Sequence, residues 1–226
     1  MHDMTLYFGD LVPYLPMLLE ALWMSCYLSV IAMVTGSALG VLLYLGKAGR
    51  SRVLRSLSAG YIEVFRNTPL LVQLYLIYFG LPRLGVNLDP ISSGLIALTL
   101  NNAAYTAEIY RGGFESVPVG LREAAAALGM NRGQIFRHVV FMPATRNVFP
   151  ALTNQFILLF LASSIASIIG LPELMHTVLN INSATYRTIE VLVVAGLLYF
   201  ASSALLALAS RHAETKLFAW GVKSHV

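Results

Sequence analysis

Charge and cysteine are scarce in this chain. Of its 226 residues only 12% are charged, against about 25% in a soluble domain. Too few charges remain to coat a water-facing surface, while 57% of the residues are hydrophobic and the mean hydropathy is +0.70. Lipid is the implied solvent. The single cysteine, Cys26, lies in an apolar run. It excludes an intrachain disulfide or a cysteine cluster and reads as a small apolar filler. The histidines, His2, His138, His176, His212 and His225, fall at no ligand spacing, so no metal site is expected. The nucleotide-binding pattern of glycine, four residues and Gly-Lys-Ser/Thr is missing; Gly46-Lys47 lacks the hydroxyl and the upstream glycine. Paired in-span aspartates, a zinc-binding HExxH run and a Ser/His pair across spans are missing too, so no catalytic residue is assigned and an intramembrane enzyme is disfavoured. Residues 1–13 hold Asp3 and Asp10 but no Lys or Arg, unlike a cleavable signal peptide. The first span is therefore expected to act as its own uncleaved signal.

What is present is long apolar runs. A bilayer core of about 30 Å needs about 20 helical residues. Five stretches qualify, near residues 14–45, 59–81, 91–110, 149–170 and 189–210. The reading is an all-α integral membrane protein of about five transmembrane helices, forming one domain over residues 1–226. The second span is irregular. Its apolar part, residues 70–81, covers only about 18 Å at helical rise. It must borrow a segment with Glu63, Arg66, Asn67 and Thr68, and a kink is expected at Pro69.

Lys and Arg set the orientation. Lys47, Arg50, Arg52 and Arg55 follow the first span, and Arg111, Arg122, Arg132, Arg137 and Arg146 follow the third. The tail adds Arg211, Lys216 and Lys223, whereas the opposite loops hold only Arg83 and Arg187. The N-terminus is expected outside and the C-terminus in the cytoplasm.

The cytoplasmic loop, about 111–146, is long enough to imply structure or function of its own. Pro118 suits a first helical turn. Leu121, Ala124, Ala125 and Leu128 then form one apolar face, and Gly129 ends the helix. Asn131 with Gln134 resembles a capping box and opens a second short helix whose face is Ile135, Phe136, Val139 and Val140. Such a small apolar face needs a partner, either its own bundle or another protein's groove.

Within this loop Glu123-Ala124-Ala125-x-x-x-Gly129 with a downstream proline resembles the EAA loop of bacterial ABC importer permeases. Tyr61-Ile-Glu-Val-Phe-Arg-Asn-Thr-Pro-Leu-Leu-Val-Gln73 resembles the second-span signature of the polar amino-acid uptake branch. So do Ala104-Tyr105-Thr-Ala-Glu108-Ile-Tyr-Arg111-Gly112-Gly113 with Ser116-Val117-Pro118, and Pro150-Ala-Leu-Thr-Asn154-Gln155-Phe156. Two departures stand out. Met142 occupies the usual proline place, with Pro143 one later, and Leu161-Ala162-Ser163-Ser164 replaces a charged run found in many relatives.

The resemblance implies a permease subunit of an ATP-driven amino-acid importer in the bacterial inner membrane. It implies pairing with a second permease, either the same chain or a relative. An ATPase dimer would carry ATP and Mg, and an external binding protein would deliver solute. This chain would bind no cofactor and no nucleic acid. Glu123, Ala124, Ala125, Leu128 and Gly129 would form the coupling helix.

Polar residues inside spans usually face the bundle or a cavity. Asn101, Tyr105, Asn154, Gln155, Ser163 and Ser164 are the candidates for the solute path, with close helix packing the competing reading for the serines. Glu63, Arg66, Asn67, Pro69, Glu108 and Arg111 read as a structural polar cluster, in which Arg111 can pair with Glu108 one turn away. An ion-gradient-driven secondary transporter would usually show internal repeats and more spans. A membrane scaffold that only recruits partners is the other alternative.

Overall fold

The computed structural model describes residues 6–218, and every regular element among them is helical. A tight turn, Gly9–Tyr14, leads into α1, Leu15–Ala48. α2 is Arg52–Arg66 and α3 is Leu70–Tyr75, prolonged by a wide turn at Leu76–Gly80 and a tight one at Leu81–Leu84. α4 is Pro90–Glu115 and α5 is Val119–Ala127. The short α6, Arg132–Gln134, runs through a wide-turn stretch, Ile135–Phe141, into α7, Met142–Ala162, which tightens over Ser163–Ile169. α8, Leu174–Thr185, and α9, Thr188–Leu217, complete the described chain.

Three runs are long and apolar enough to cross a membrane: Gly9–Ala48, Arg132–Ile169 and Thr188–Leu217. α4 has 26 residues and so reaches about 39 Å, but amides and hydroxyls dilute its apolar character. Leu70–Leu84 is apolar and short.

At the centre, α1 packs most extensively on α4. Gly36 and Gly40 open one face of α1 to that approach. A Cβ on Gly40 would overlap Thr106 Oγ1 and press on the backbone of Ala103 and Ala107 at 3.0 Å. The two backbones are stitched by side chains: Asn102 Nδ2 donates to the Ala32 carbonyl (3.3 Å) and Thr106 Oγ1 to the Gly36 carbonyl (3.2 Å). In lipid such small-residue contacts and polar stitches replace the hydrophobic drive that packs helices in water.

The sequence reading needs three corrections. Pro69 does not kink a single helix; the chain breaks between Arg66 and Leu70. Pro69 supplies no N–H and holds Thr68 out of the helical region. Gln73 then collects the carbonyls freed at the break, its Nε2 donating to Phe65 O (2.9 Å) and Thr68 O (3.1 Å). The second loop helix is not separate: Asn131 and Gln134 form the expected capping box, but the helix continues directly into α7. And α8 lies where only a connection was expected. Its Leu174, Val178 and Ile181 pack with Leu11 and Leu18 of the N-terminal helix and Val191 and Ala195 of α9.

Glu173 fastens that corner. Its side chain is fully buried at the N-cap of α8. It accepts from the backbone N–H of His176 (2.7 Å), the Tyr199 hydroxyl (3.0 Å) and the Ser25 hydroxyl (3.3 Å). One carboxylate thus joins α1, α8 and α9.

Candidate functional site

A cleft of about 550 Å³ opens between the α2–α3 break, α4 and α7. The break supplies Arg66, Asn67, Thr68 and Pro69, α4 supplies Asn101 and Tyr105, and α7 supplies Gln155 and Leu158. Its chemistry follows from the break. Interrupting the helix at Asn67-Thr68-Pro69 places exposed polar side chains on the wall of the cleft.

Two hydrogen-bonded strings of amides line its walls. Asn101 Nδ2 donates to Gln73 Oε1 (3.0 Å), and Gln73 in turn donates to the backbone at the break. Gln155 Nε2 donates to Asn102 Oδ1 (3.1 Å), and Asn102 donates to Ala32 O.

At the end of the cleft where α2 meets α4 lies a cluster of charges. Glu108 is 14% exposed and receives Lys47 Nζ at 2.7 Å and Arg111 Nη2 at 2.7 Å. Arg66 reaches it only at 3.8 Å, and its guanidinium lies 5.7 Å from the Tyr105 ring centroid. Arg111 also holds Glu115, at the very end of α4. Glu63 accepts from Asn67 Nδ2 at 2.9 Å. The members assigned from sequence are therefore joined in two groups, one around Glu108 and one at the break. Lys47 was overlooked because it comes from α1, 61 positions away.

The path candidates divide. Asn101, Tyr105 and Gln155 share the cleft. Asn154 faces the opposite side of α7, in a smaller groove with Pro150, Ser210, Arg211 and Glu214. Ser163 and Ser164 do not line the cleft; their hydroxyls return to Phe160 O and Leu161 O, both at 2.7 Å. Gln73 and Asn102 were missed. The signal for Asn102 was its i,i+4 spacing with Thr106, facing the Gly36–Gly40 pair across the bundle.

Beyond the bundle, α5 is held from its N-terminal side. Val117 is buried with Val140 and Ala144, Arg122 Nη2 donates to Phe114 O (2.9 Å), and Asn147 Nδ2 donates to Ser116 Oγ (2.8 Å). Of the predicted apolar face only Ala125 is buried; Leu121, Ala124 and Leu128 are exposed, Leu128 at 83%. Glu123 is exposed as well. Gly129 stops the helix with φ +81°, a conformation open to glycine at little cost. Among the described residues no group of three or more His, Cys, Asp or Glu is placed to hold a metal ion.

A helical membrane bundle with an open cleft lined in part by polar side chains, and with a projecting helix, has the form of a transport permease. Residues 33–218 match the family model for the binding-protein-dependent transport system inner membrane component, and the chain belongs to that family. It is a multi-pass inner-membrane permease subunit. It is 36% identical to the arginine transport system permease protein ArtQ of Bacillus subtilis, over 95% of this chain and 98% of that one. It is 39% identical to the nopaline transport system permease protein NocM of Agrobacterium fabrum, over 81% and 80%. A crystal structure of an amino acid ABC transporter with histidines superposes with a TM-score of 0.89 at 36% identity, covering 94% of this chain and all of that one. The MetNI methionine ABC transporter, inward facing, shares the fold at a TM-score of 0.69 and 22% identity.

Proposed function

We propose that this chain forms one half of the membrane pathway of an ATP-driven amino-acid importer. The observation that carries the reading is α5, a helix anchored from its N-terminal side with Leu121, Ala124 and Leu128 of its apolar face bare. A second protein's groove is the natural cover for such a face. In this reading α5 couples to an ATPase subunit that holds ATP and Mg, and Glu123, Ala124, Ala125, Leu128 and Gly129 make the contact. The chain crosses the membrane five times, with α2–α3 and α4 as the second and third crossings. Its N-terminus is outside, its C-terminus is cytoplasmic, and residues 111–146 form the coupling segment. A second permease subunit completes the pathway and an external binding protein delivers the solute. The interior cleft, with Asn101, Tyr105 and Gln155, is the part of the path this chain contributes. The arginine permease and the amino acid ABC transporter, each matched over nearly the full length, support the solute class.

The test is co-purification. The tagged chain, solubilised gently from its native membrane, brings an ATPase subunit with it, and Gly129→Asp loses that subunit while still inserting. In vesicles, uptake requires ATP. An ATPase-free preparation, or gradient-driven uptake without ATP, overturns the reading in favour of a scaffold or a secondary carrier.

A further inference from the structure

The amides lining the cleft are not free to turn. Each string ends on a backbone carbonyl, which can only accept. Gln73 must point its Nε2 at Phe65 O, so its Oε1 faces Asn101, and Asn101 must answer with Nδ2. Asn102 must point its Nδ2 at Ala32 O, so its Oδ1 faces Gln155, and Gln155 must answer with Nε2. Asn101 spends both of its amide N–H groups inside the wall, on Gln73 Oε1 (3.0 Å) and Phe65 O (3.5 Å), and Gln155 spends one of its two on Asn102 Oδ1 (3.1 Å). Both therefore keep their oxygens, Oδ1 and Oε1, for the cleft, from two different helices, and Gln155 keeps one N–H besides.

Arg66 supplies the opposite chemistry. Among the cleft-lining residues it is the one charged side chain. Its contact with Glu108 is long, at 3.8 Å, because Lys47 and Arg111 already fill that carboxylate at 2.7 Å. Its guanidinium rests near the Tyr105 ring with donors to spare. The remaining wall is apolar, with Leu158, Ala162 and Ile165 on the α7 side. Ala162 belongs to the stretch where many relatives carry charge.

A cation facing two acceptor oxygens across a small cleft is complementary to a zwitterion. Resting on the importer reading, we infer that the cleft holds an α-amino acid with an uncharged side chain. Its carboxylate lies on Arg66, its ammonium on Asn101 Oδ1 and Gln155 Oε1, and its side chain against the apolar α7 wall. A second positive charge would meet Arg66 with no acid in the lining to offset it. A second negative charge would find the one cation already used. Both are costly away from water.

The test uses the purified importer complex with its ATPase subunits in lipid nanodiscs, without the external binding protein. The probes are tritiated L-glutamine, L-serine, L-leucine, L-glutamate and L-arginine. At least one neutral probe binds, and L-glutamate and L-arginine bind about ten-fold or more weakly, the scale of one lost charge-assisted hydrogen bond. Amidating the carboxylate or acetylating the amine of the bound probe each weakens competition by a similar factor. Arg66→Lys keeps the preference for a free carboxylate and Arg66→Gln loses it. Gln155→Glu, which adds an acid beside the oxygens, raises affinity for L-arginine. These last two readouts are changes in selectivity, which misfolding cannot mimic. Tight binding of L-arginine by the wild type, or equal competition by the amidated probe, overturns the assignment. So does the lack of any binding while the same complex, given its binding protein and ATP, still imports an amino acid; that outcome spares the importer reading. Lack of ATP-driven uptake overturns both.

Discussion

Gln155 on α7 donates its side-chain amide to Asn102 Oδ1 on α4 across 3.1 Å, and Asn102 passes the bond on to the backbone of α1. Three helices are tied by two side chains. Asn102→Ala removes the middle link and leaves Gln155 and the Ala32 carbonyl without their partner. The expected loss is about 1–2 kcal/mol, near the upper range for hydrogen bonds between helices in lipid. A lower melting temperature of the detergent-solubilised protein checks it. Gln155→Ala, which leaves Asn102 bonded to α1, costs less.

Gly40 sets how close α1 and α4 lie. Gly40→Leu drives a side chain into Thr106 and the α4 backbone. Overpacking of this kind costs about 1–3 kcal/mol. The mutant is expected to give a broadened size-exclusion profile and a reduced yield. Gly60→Leu, where a Cβ meets nothing within 4 Å, is the control and leaves both unchanged.

Glu173 joins α1, α8 and α9 from a fully buried position. Glu173→Ala strips the Tyr199 hydroxyl and the His176 N–H of their acceptor, leaves Ser25 only the Ala21 carbonyl, and is expected to cost about 2–3 kcal/mol. Hydrogen exchange rises across residues 174–185 ahead of the rest of the chain. Unchanged protection there would mean that the apolar cluster of Leu174, Val178 and Ile181 holds α8 alone.

Leu128 is bare, so Leu128→Asp leaves the stability of the isolated chain within about 0.5 kcal/mol of wild type. In the assembled importer the same change is expected to remove the ATPase subunit from co-purification and to abolish uptake. A mutant neutral in both settings would place the coupling contact elsewhere.

Asp89 caps α4, accepting from the N–H groups of Ile91 and Ser92 and from the Ser92 hydroxyl (2.6 Å). The Ser92 hydroxyl and then its N–H pull the Asp89 carboxyl below the usual carboxylate range. A depressed folded value means the cap is fully present above the ordinary aspartate range and is lost as pH falls through the folded value. Exchange at the first turn of α4, corrected for intrinsic rates, is expected to rise only in that acid window. Asp89→Asn, which cannot titrate, flattens the profile.

Composition and periodicity were enough to settle the solvent, the helical class and several local stops. Scarce charge forces lipid-facing helices. Gly129 ends α5 and the Asn131–Gln134 box opens the next helix because those signals act within one turn of chain. The Glu108–Arg111 pair was legible for the same reason, as an i,i+3 contact on one helix. The break at Pro69 was legible as an irregularity but not as a full interruption, because its stability depends on Gln73 collecting the freed carbonyls. What faces what was decided only in three dimensions. Asn154 and Gln155 are neighbours in sequence, yet one faces α9 and the other the cleft, since adjacent helical positions diverge by about 100°. Lys47 reached Glu108, and Glu173 reached Ser25 and Tyr199, from distant helices. The chemical face of the cleft was fixed last, because an amide's outward atom is set by what its other end must bond, and those partners come from other parts of the chain.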